Sequence, residues 1–289
     1  MKKVVVMTDS GSNIPQELAQ KVDIRVMPFH IIIDGKDYLD TEIDMQDLYA
    51  RLSTRKNLPT TSFPSVEEYL LTYQELSQKA EAILFISVTS AFTKAYSLAL
   101  EAKETVSKKL PETVIEVIDS RTGGTGLALI VLKAAGLAEQ GKDIKAIIEQ
   151  VNNMIPRVSH LSAPDTLFYL DKGGRICEAK SWAEAQSVNS FRAIVEIDAS
   201  TGGVTKPLAR AKTKKQIMEK MVSIVKEKVG NNRIHAGITH NNTPESAQQL
   251  RKIILSQLHC DELHVFEALA PAAVHTGQGL VDFGFYISD

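Results

Sequence analysis

The chain has 289 residues, of which 44% are hydrophobic and 24% charged, with a formal net charge of −2. That length and composition suit a soluble protein of two domains, each with its own core. Such a balance excludes a global pull toward nucleic acid or an anionic membrane, and the longest apolar run, 127–137, is broken by Lys133 and falls short of the roughly 20 residues needed for a span.

The first half alternates strand and helix signals. The N-terminus turns polar too soon for a signal peptide, which makes a cytoplasmic protein the expectation. Residues 4–7 form a β-branched run closing at Thr8-Asp9-Ser10. A helix is expected from near Asn13, with Pro15 in its first turn and Gln16 as capping-box partner. Residues 24–33 read as one strand-rich stretch ending at the Asp34-Gly35 turn. Ser65-Val66-Glu67-Glu68 is a second capping box, opening a helix to about Gln78. A buried strand at 82–86, a helix at about 94–108 and a strand at 114–118 follow, the last ending in Asp119-Ser120. Helices are then expected at 127–140 and, after Gly141-Lys142-Asp143, through Met154. This alternation implies a parallel sheet whose carboxyl edge gathers the hydroxyls and aspartates, the edge where open α/β sheets bind ligands.

The second half differs. Strand candidates at 190–197, 233–239, 263–267 and 280–287 enclose two long amphipathic helices, about 214–229 and 244–258. That pattern gives a mixed α+β domain with helices on one face. The boundary is set near Pro156, dividing the chain into 1–156 and 157–289 with a ligand cleft between.

His275, in Val274-His275-Thr276-Gly277-Gln278-Gly279, is the leading candidate: an imidazole on a flexible glycine-rich turn, titrating near neutral pH. Hydroxyls cluster in Pro59-Thr60-Thr61-Ser62 and in Ser87-Val88-Thr89-Ser90-Ala91-Phe92-Thr93. Hydroxyls with one imidazole suit a carboxylate or phosphate better than bond-breaking. Lys172-Gly173-Gly174-Arg175 is either a helix C-cap or an anion contact for the guanidinium. Asp119 to Gly126 leads from strand into helix, but GxGxxG fails at Leu129, which leaves a structural turn. Ser10 and Ser120 sit in no GxSxG elbow and have no histidine nearby. The basic cluster Lys206, Arg210, Lys212, Lys214 and Lys215 lacks interleaved aromatics for base stacking and reads as a solvated face. The other six histidines show no metal spacing, and Cys177 and Cys260 read as idle thiols.

In this order and spacing the segments resemble the DegV family across essentially the whole chain: Thr8-Asp9-Ser10, Pro59 to Ser65, Asp119-Ser120, Phe168 to Ile176, and His275 to Gly279. The resemblance implies one long-chain fatty acid bound between two α/β domains. It also implies a non-enzymatic, cofactor-free subunit whose lipid carboxylate is phosphorylated by a separate ATP-binding fatty acid kinase, the chain itself having no P-loop. Thr61 matches the family's carboxylate-binding threonine, Thr93 its turn serine, His275 its histidine and Arg175 the arginine of Gly-Gly-Arg. Lys94-Ala95, Arg192-Ala193 and Gln278 depart from the family's turns. Ser62, Arg175, Arg210, Lys212, Gly277 and Gly279 are expected to support the site or face the partner, without nucleic acid or stable membrane insertion. Acyl-chain length is open, and the rivals are a stand-alone hydrolase or acyltransferase using Ser10 or Ser120 and a nucleotide-binding regulatory module.

Overall fold

Val4, Val5, Val6 and Met7 are all buried, so the first strand is covered on both faces, as the interior of a parallel sheet requires. The computed structural model describes residues 2–288. In its first half run β1 (Lys2–Asp9), α1 (Gln16–Lys21), β2 (Ile24–Met27), β3 (His30–Ile33), β4 (Lys36–Leu39), α2 (Met45–Thr54) and β5 (Thr60–Ser62). They are followed by α3 (Val66–Ser77), β6 (Ala80–Ser87), α4 (Ala95–Val106), β7 (Val114–Asp119), α5 (Gly124–Glu139) and α6 (Ile144–Met154). Strands in the order β2-β1-β6-β7 form an all-parallel sheet. Its period-two pattern sorts Val5, Met7, Ile83 and Phe85 onto α3 and α4, while Val4, Val6, Leu84 and Ile86 face α5 and α6. The Ser65 capping box forms as expected.

Two local expectations are corrected. Asn13 and Gln16 make no capping box: Asn13 sits at φ 56°, closing a short turn, and α1 begins behind Pro15 without a side-chain cap. Asparagine tolerates that conformation, and its Oδ1 is used elsewhere, accepting from the Leu269 N–H at 2.9 Å. The stretch 24–33 is two strands in different sheets. The break falls at Pro28, which has no N–H, and at Phe29, whose N–H goes to Ser10 Oγ and Asp40 Oδ2 instead of a ladder. Beyond it β3 pairs antiparallel with β4 and β5 in a small three-stranded sheet, the β3–β4 turn being Asp34-Gly35 with both φ positive.

The second half holds β8 (Ser159–Ala163), α7 (Phe168–Lys172), α8 (Lys180–Val188), β9 (Arg192–Glu196), β10 (Lys206–Ala211), α9 (Lys214–Val229), β11 (Arg233–His240), α10 (Pro244–Gln257), β12 (His259–Glu267), α11 (Ala270–Thr276) and β13 (Val281–Ile287). Its mixed sheet runs β10-β9-β8-β13-β11-β12, antiparallel except for β11 with β12. Helices α9 and α10 bury Met221, Val225, Leu250 and Ile254 on one face. The other face is not bare, which corrects the one-sided expectation. Gly237 and Gly284, opposite one another on β11 and β13, lie so close to α5 that a Cβ at Gly284 would stand 3.0 Å from the Gly126 nitrogen. Helix α5 is therefore shared between the two sheets.

Candidate functional site

The carboxyl ends of β1 and β6 and the N-terminus of α5 meet the second half around one cavity, lined there by Gly11, Val88, Gly123 and Gly124. About 830 Å³ of empty space lies between its walls, part of it continuous with solvent. The walls are mostly apolar and come from both halves: Phe29, Phe63 and Phe92 from the first, Leu170, Ile197, Pro271 and Leu280 from the second.

Thr61, Ser62, Thr93, Arg175 and His275 all line this cavity. Thr61 is presented by β5, opposite Ile31 of β3. His275 stands in the last turn of α11, whose Ala270, Ala273 and Val274 are buried against Leu48 and Leu52 of α2 and Tyr169 of α7. A packed helix, not a flexible turn, holds the ring. Thr61 Oγ1 and His275 Nε2 are 2.8 Å apart, joining groups 214 positions apart in the chain. The other ring nitrogen, Nδ1, has no hydrogen-bond partner and is turned against Gly173, where a Cβ would stand 2.3 Å away. Burial, reinforced by the Arg175 charge, pushes the His275 pKa down to about 3. The imidazole is therefore neutral at physiological pH, contrary to the expected near-neutral titration.

The positive charge at this end of the cavity belongs to Arg175. It follows the α7 C-cap at Gly173 and the Gly174 turn, so the C-cap reading of Lys172-Gly173-Gly174-Arg175 holds, and it leaves Arg175 at the cavity wall. Its Nη1 donates to the Gly173 carbonyl, and no carboxylate among the described residues pairs with it. Partial burial lowers its pKa from the ordinary value. Thr93 Oγ1 accepts from the Ala95 N–H at 3.1 Å, leaving its own proton free to donate. Hydroxyl donors, a neutral imidazole and an unpaired guanidinium beside apolar walls have the chemistry to receive the anionic head of an amphiphile.

Residues 3–288 match the family described as "Uncharacterised protein, DegV family". The chain belongs to the DegV family. A DegV domain-containing protein of Clostridium perfringens is 29% identical over 276 residues, covering 95% of each chain. A solved structure from Thermus thermophilus, described as fatty acid binding of a DegV family protein, matches with a TM-score of 0.89 and 24% identity over 100% of both chains. A Thermotoga maritima protein, described as revealing fatty acid binding function, gives 0.87 and 19% over 100% of both. At these identities the structural likeness establishes the shared fold.

Other candidates of this DegV-family chain lie away from the cavity. Gly277 and Gly279 do not line it; Cβ atoms there would meet the Tyr169 ring at 2.2 Å and the Asp165 carboxyl at 2.5 Å, so these glycines serve packing. Arg210, on the edge strand β10, lies over the Trp182 and Phe191 rings with its Cζ 3.9 and 4.4 Å from their centroids. Lys212 is exposed beside it. Ser10 is buried, accepting from Phe29 N and bonded to Asp40, while Ser120 is committed to Thr122. The sequence reading missed His160, Ser162 and Asp282, which line the cavity from β8 and β13. A histidine within an apolar strand carries no spacing signal, so only the fold reveals its facing.

Among the described residues no helix is long and apolar enough to cross a membrane, and no group of three or more His, Cys, Asp or Glu is arranged to hold a metal ion.

Proposed function

We propose that the cavity binds one long-chain fatty acid, with Thr61, Thr93, His275 and Arg175 at its carboxylate and Ser62 in support. The observation that carries this reading is the unpaired guanidinium beside the Thr61–His275 pair at the wall of a mostly apolar cavity. A carboxylate compensates the charge and takes the free hydroxyl protons, while the tail needs only apolar walls. Each buried methylene contributes about 0.8 kcal/mol, so the tail supplies most of the affinity and the head sets direction.

The finer reading is a carrier that presents the carboxylate to a separate ATP-binding kinase for acyl-phosphate formation, with exposed Arg210 and Lys212 facing that partner. It rests on the family resemblance and on the buried, scaffold-bonded state of Ser10 and Ser120, which leaves neither disposed as a hydrolytic nucleophile. The two-domain division near residue 156 belongs to the same proposal.

Native mass spectrometry of protein purified from cells, followed by denaturation, tests the binding. One long-chain fatty acid per chain is the expected result. An empty protein that takes up no offered fatty acid, yet turns over acyl esters, overturns it. Hydroxylamine trapping of acyl phosphate, after incubating the loaded protein with ATP and host extract, tests the carrier role; no hydroxamate above an extract-only control refutes it.

A further inference from the structure

The cavity carries a second polar locus that the carboxylate seat does not use. His160 on β8 and Asp282 on β13 are 3% and 4% exposed, and both line the cavity. His160 Nε2 and Asp282 Oδ2 are 3.3 Å apart, yet both imidazole nitrogens and Asp282 Oδ1 lack a hydrogen-bond partner. Space at the pair is kept by Gly124, where a Cβ would stand 3.2 Å from both Asp282 Oδ2 and His160 Cε1. Gly124 opens α5, whose N-cap Gly123 offers no side-chain cap, so the aspartate lies at the positive end of an uncapped helix. A wall meant only for methylenes would carry leucine or valine here; instead, buried donors and acceptors stand unsatisfied beside the ligand space.

We propose that His160, Asp282 and the gap at Gly124 form a second subsite for a hydroxyl group carried on the acyl chain away from its carboxylate. The inference rests on the fatty-acid reading and names the substituent class the same cavity selects. A hydroxyl fits because it both donates and accepts: its proton goes to Asp282 Oδ1, and its oxygen accepts from the protonated ring nitrogen of His160. A keto oxygen only accepts, leaving the aspartate oxygen unpaired. A bare methylene satisfies neither.

The test is competitive displacement of a fluorescent fatty acid by octadecanoic acid, its positional hydroxy isomers and the matching keto acids. One hydroxy position is expected to bind roughly tenfold tighter than the other isomers, a difference of about 1.4 kcal/mol. The keto acid at that position gains less, and His160→Leu removes the optimum while retaining octadecanoic acid. Hydroxy isomers that all bind more weakly than octadecanoic acid, with no positional optimum in the unaltered protein, overturn the subsite but leave the fatty-acid reading standing. That comparison decides the matter even if the variant fails to fold. An optimum that survives His160→Leu overturns it as well. Failure of octadecanoic acid itself to bind removes the fatty-acid reading and the subsite with it.

Discussion

Gly173→Ala tests the carboxylate seat without touching a proposed ligand contact. The backbone at Gly173 has φ −79°, which alanine adopts freely, so the substitution acts through space alone. Its Cβ would stand 2.3 Å from His275 Nδ1, 2.9 Å from Cε1 and 3.1 Å from the Tyr169 carbonyl oxygen. The ring must move, and the 2.8 Å contact with Thr61 Oγ1 is lost or bent. Overpacking of this kind costs about 1–3 kcal/mol of stability. Misaiming one hydrogen bond to a charged carboxylate costs about 1.5–3 kcal/mol, or roughly tenfold to a hundredfold in Kd. Gly174→Ala is the control: its φ is +70° but nothing lies within 4 Å, so strain of about 1–2 kcal/mol should lower Tm by a few degrees without moving the ring. Isothermal titration with octadecanoic acid and thermal melts separate the two. Wild-type affinity in Gly173→Ala, or equal losses in both variants, refutes the account of how the imidazole is held.

Three further outcomes follow from the same geometry. Because burial and Arg175 hold His275 near pKa 3, octadecanoic acid affinity should change by less than about tenfold from pH 5.5 to 8, whereas a clamp relying on an ordinary imidazolium loses up to about tenfold per unit above its pKa; a steep decline through pH 6.5 in titrations refutes this. Arg175→Gln should weaken binding by roughly tenfold to a hundredfold and move the His275 pKa upward, since the depressing charge is gone; NMR of the His275 ring protons that shows no rise contradicts the Coulombic part. Burial lifts the Asp9 pKa from its ordinary 3.8 to about 7, so this group's contribution to stability is fully present below about pH 4 and is lost as pH rises through 7. Asp9→Asn should flatten that decline, worth a few kcal/mol (~4 at most), and an unchanged difference in Tm between pH 5 and 8 refutes it.

The parallel sheet was legible because its strands are buried on both faces and its helices carry caps and periodic faces, signals local to each segment. The small sheet was not. β3 and β5 are three or four residues long and lie 26 residues apart between their facing ends, and Pro28 parts β3 from an apolar run that reads as continuous. Helix α11 escaped notice for the same reason: Ala270-Pro271-Ala272-Ala273 has no polar face, because α2, α7 and the small sheet surround it. Thr61, Thr93, Arg175 and His275 were readable as motif positions, and the structure brings them to one cavity. Gly173 was readable as a glycine but not as the floor beneath an imidazole 102 positions later, since close approach leaves no mark in local sequence. His160 and Asp282 were silent because a polar residue in a strand looks alike whether it faces water or an enclosed ligand.

For the proposed fatty acid, how firmly the chain is held and how exposed its head can be are separate questions. Burying about 15 methylenes at 0.8 kcal/mol each gives roughly 12 kcal/mol of gross stabilisation before the cost of immobilising the chain, against about 1.5–3 kcal/mol for each charged hydrogen bond at the head. The proposed head-group contacts can therefore break during transfer to a partner without releasing the tail. Arg175 suits that role: it is half-buried on a loop after a five-residue helix, its backbone is anchored to Leu170 and Thr205, and its guanidinium is bonded only to the Gly173 carbonyl. The Thr61–His275 pair is different, being fixed by a strand and a packed helix, and in the proposed reading it is the stop that sets how deep the carboxylate sits. Weakening Arg175 should then slow acyl-phosphate formation more than it shortens lipid residence, while weakening His275 should change both together. Measured off-rates that fall out in the opposite order would place the head group's anchor on the arginine loop instead.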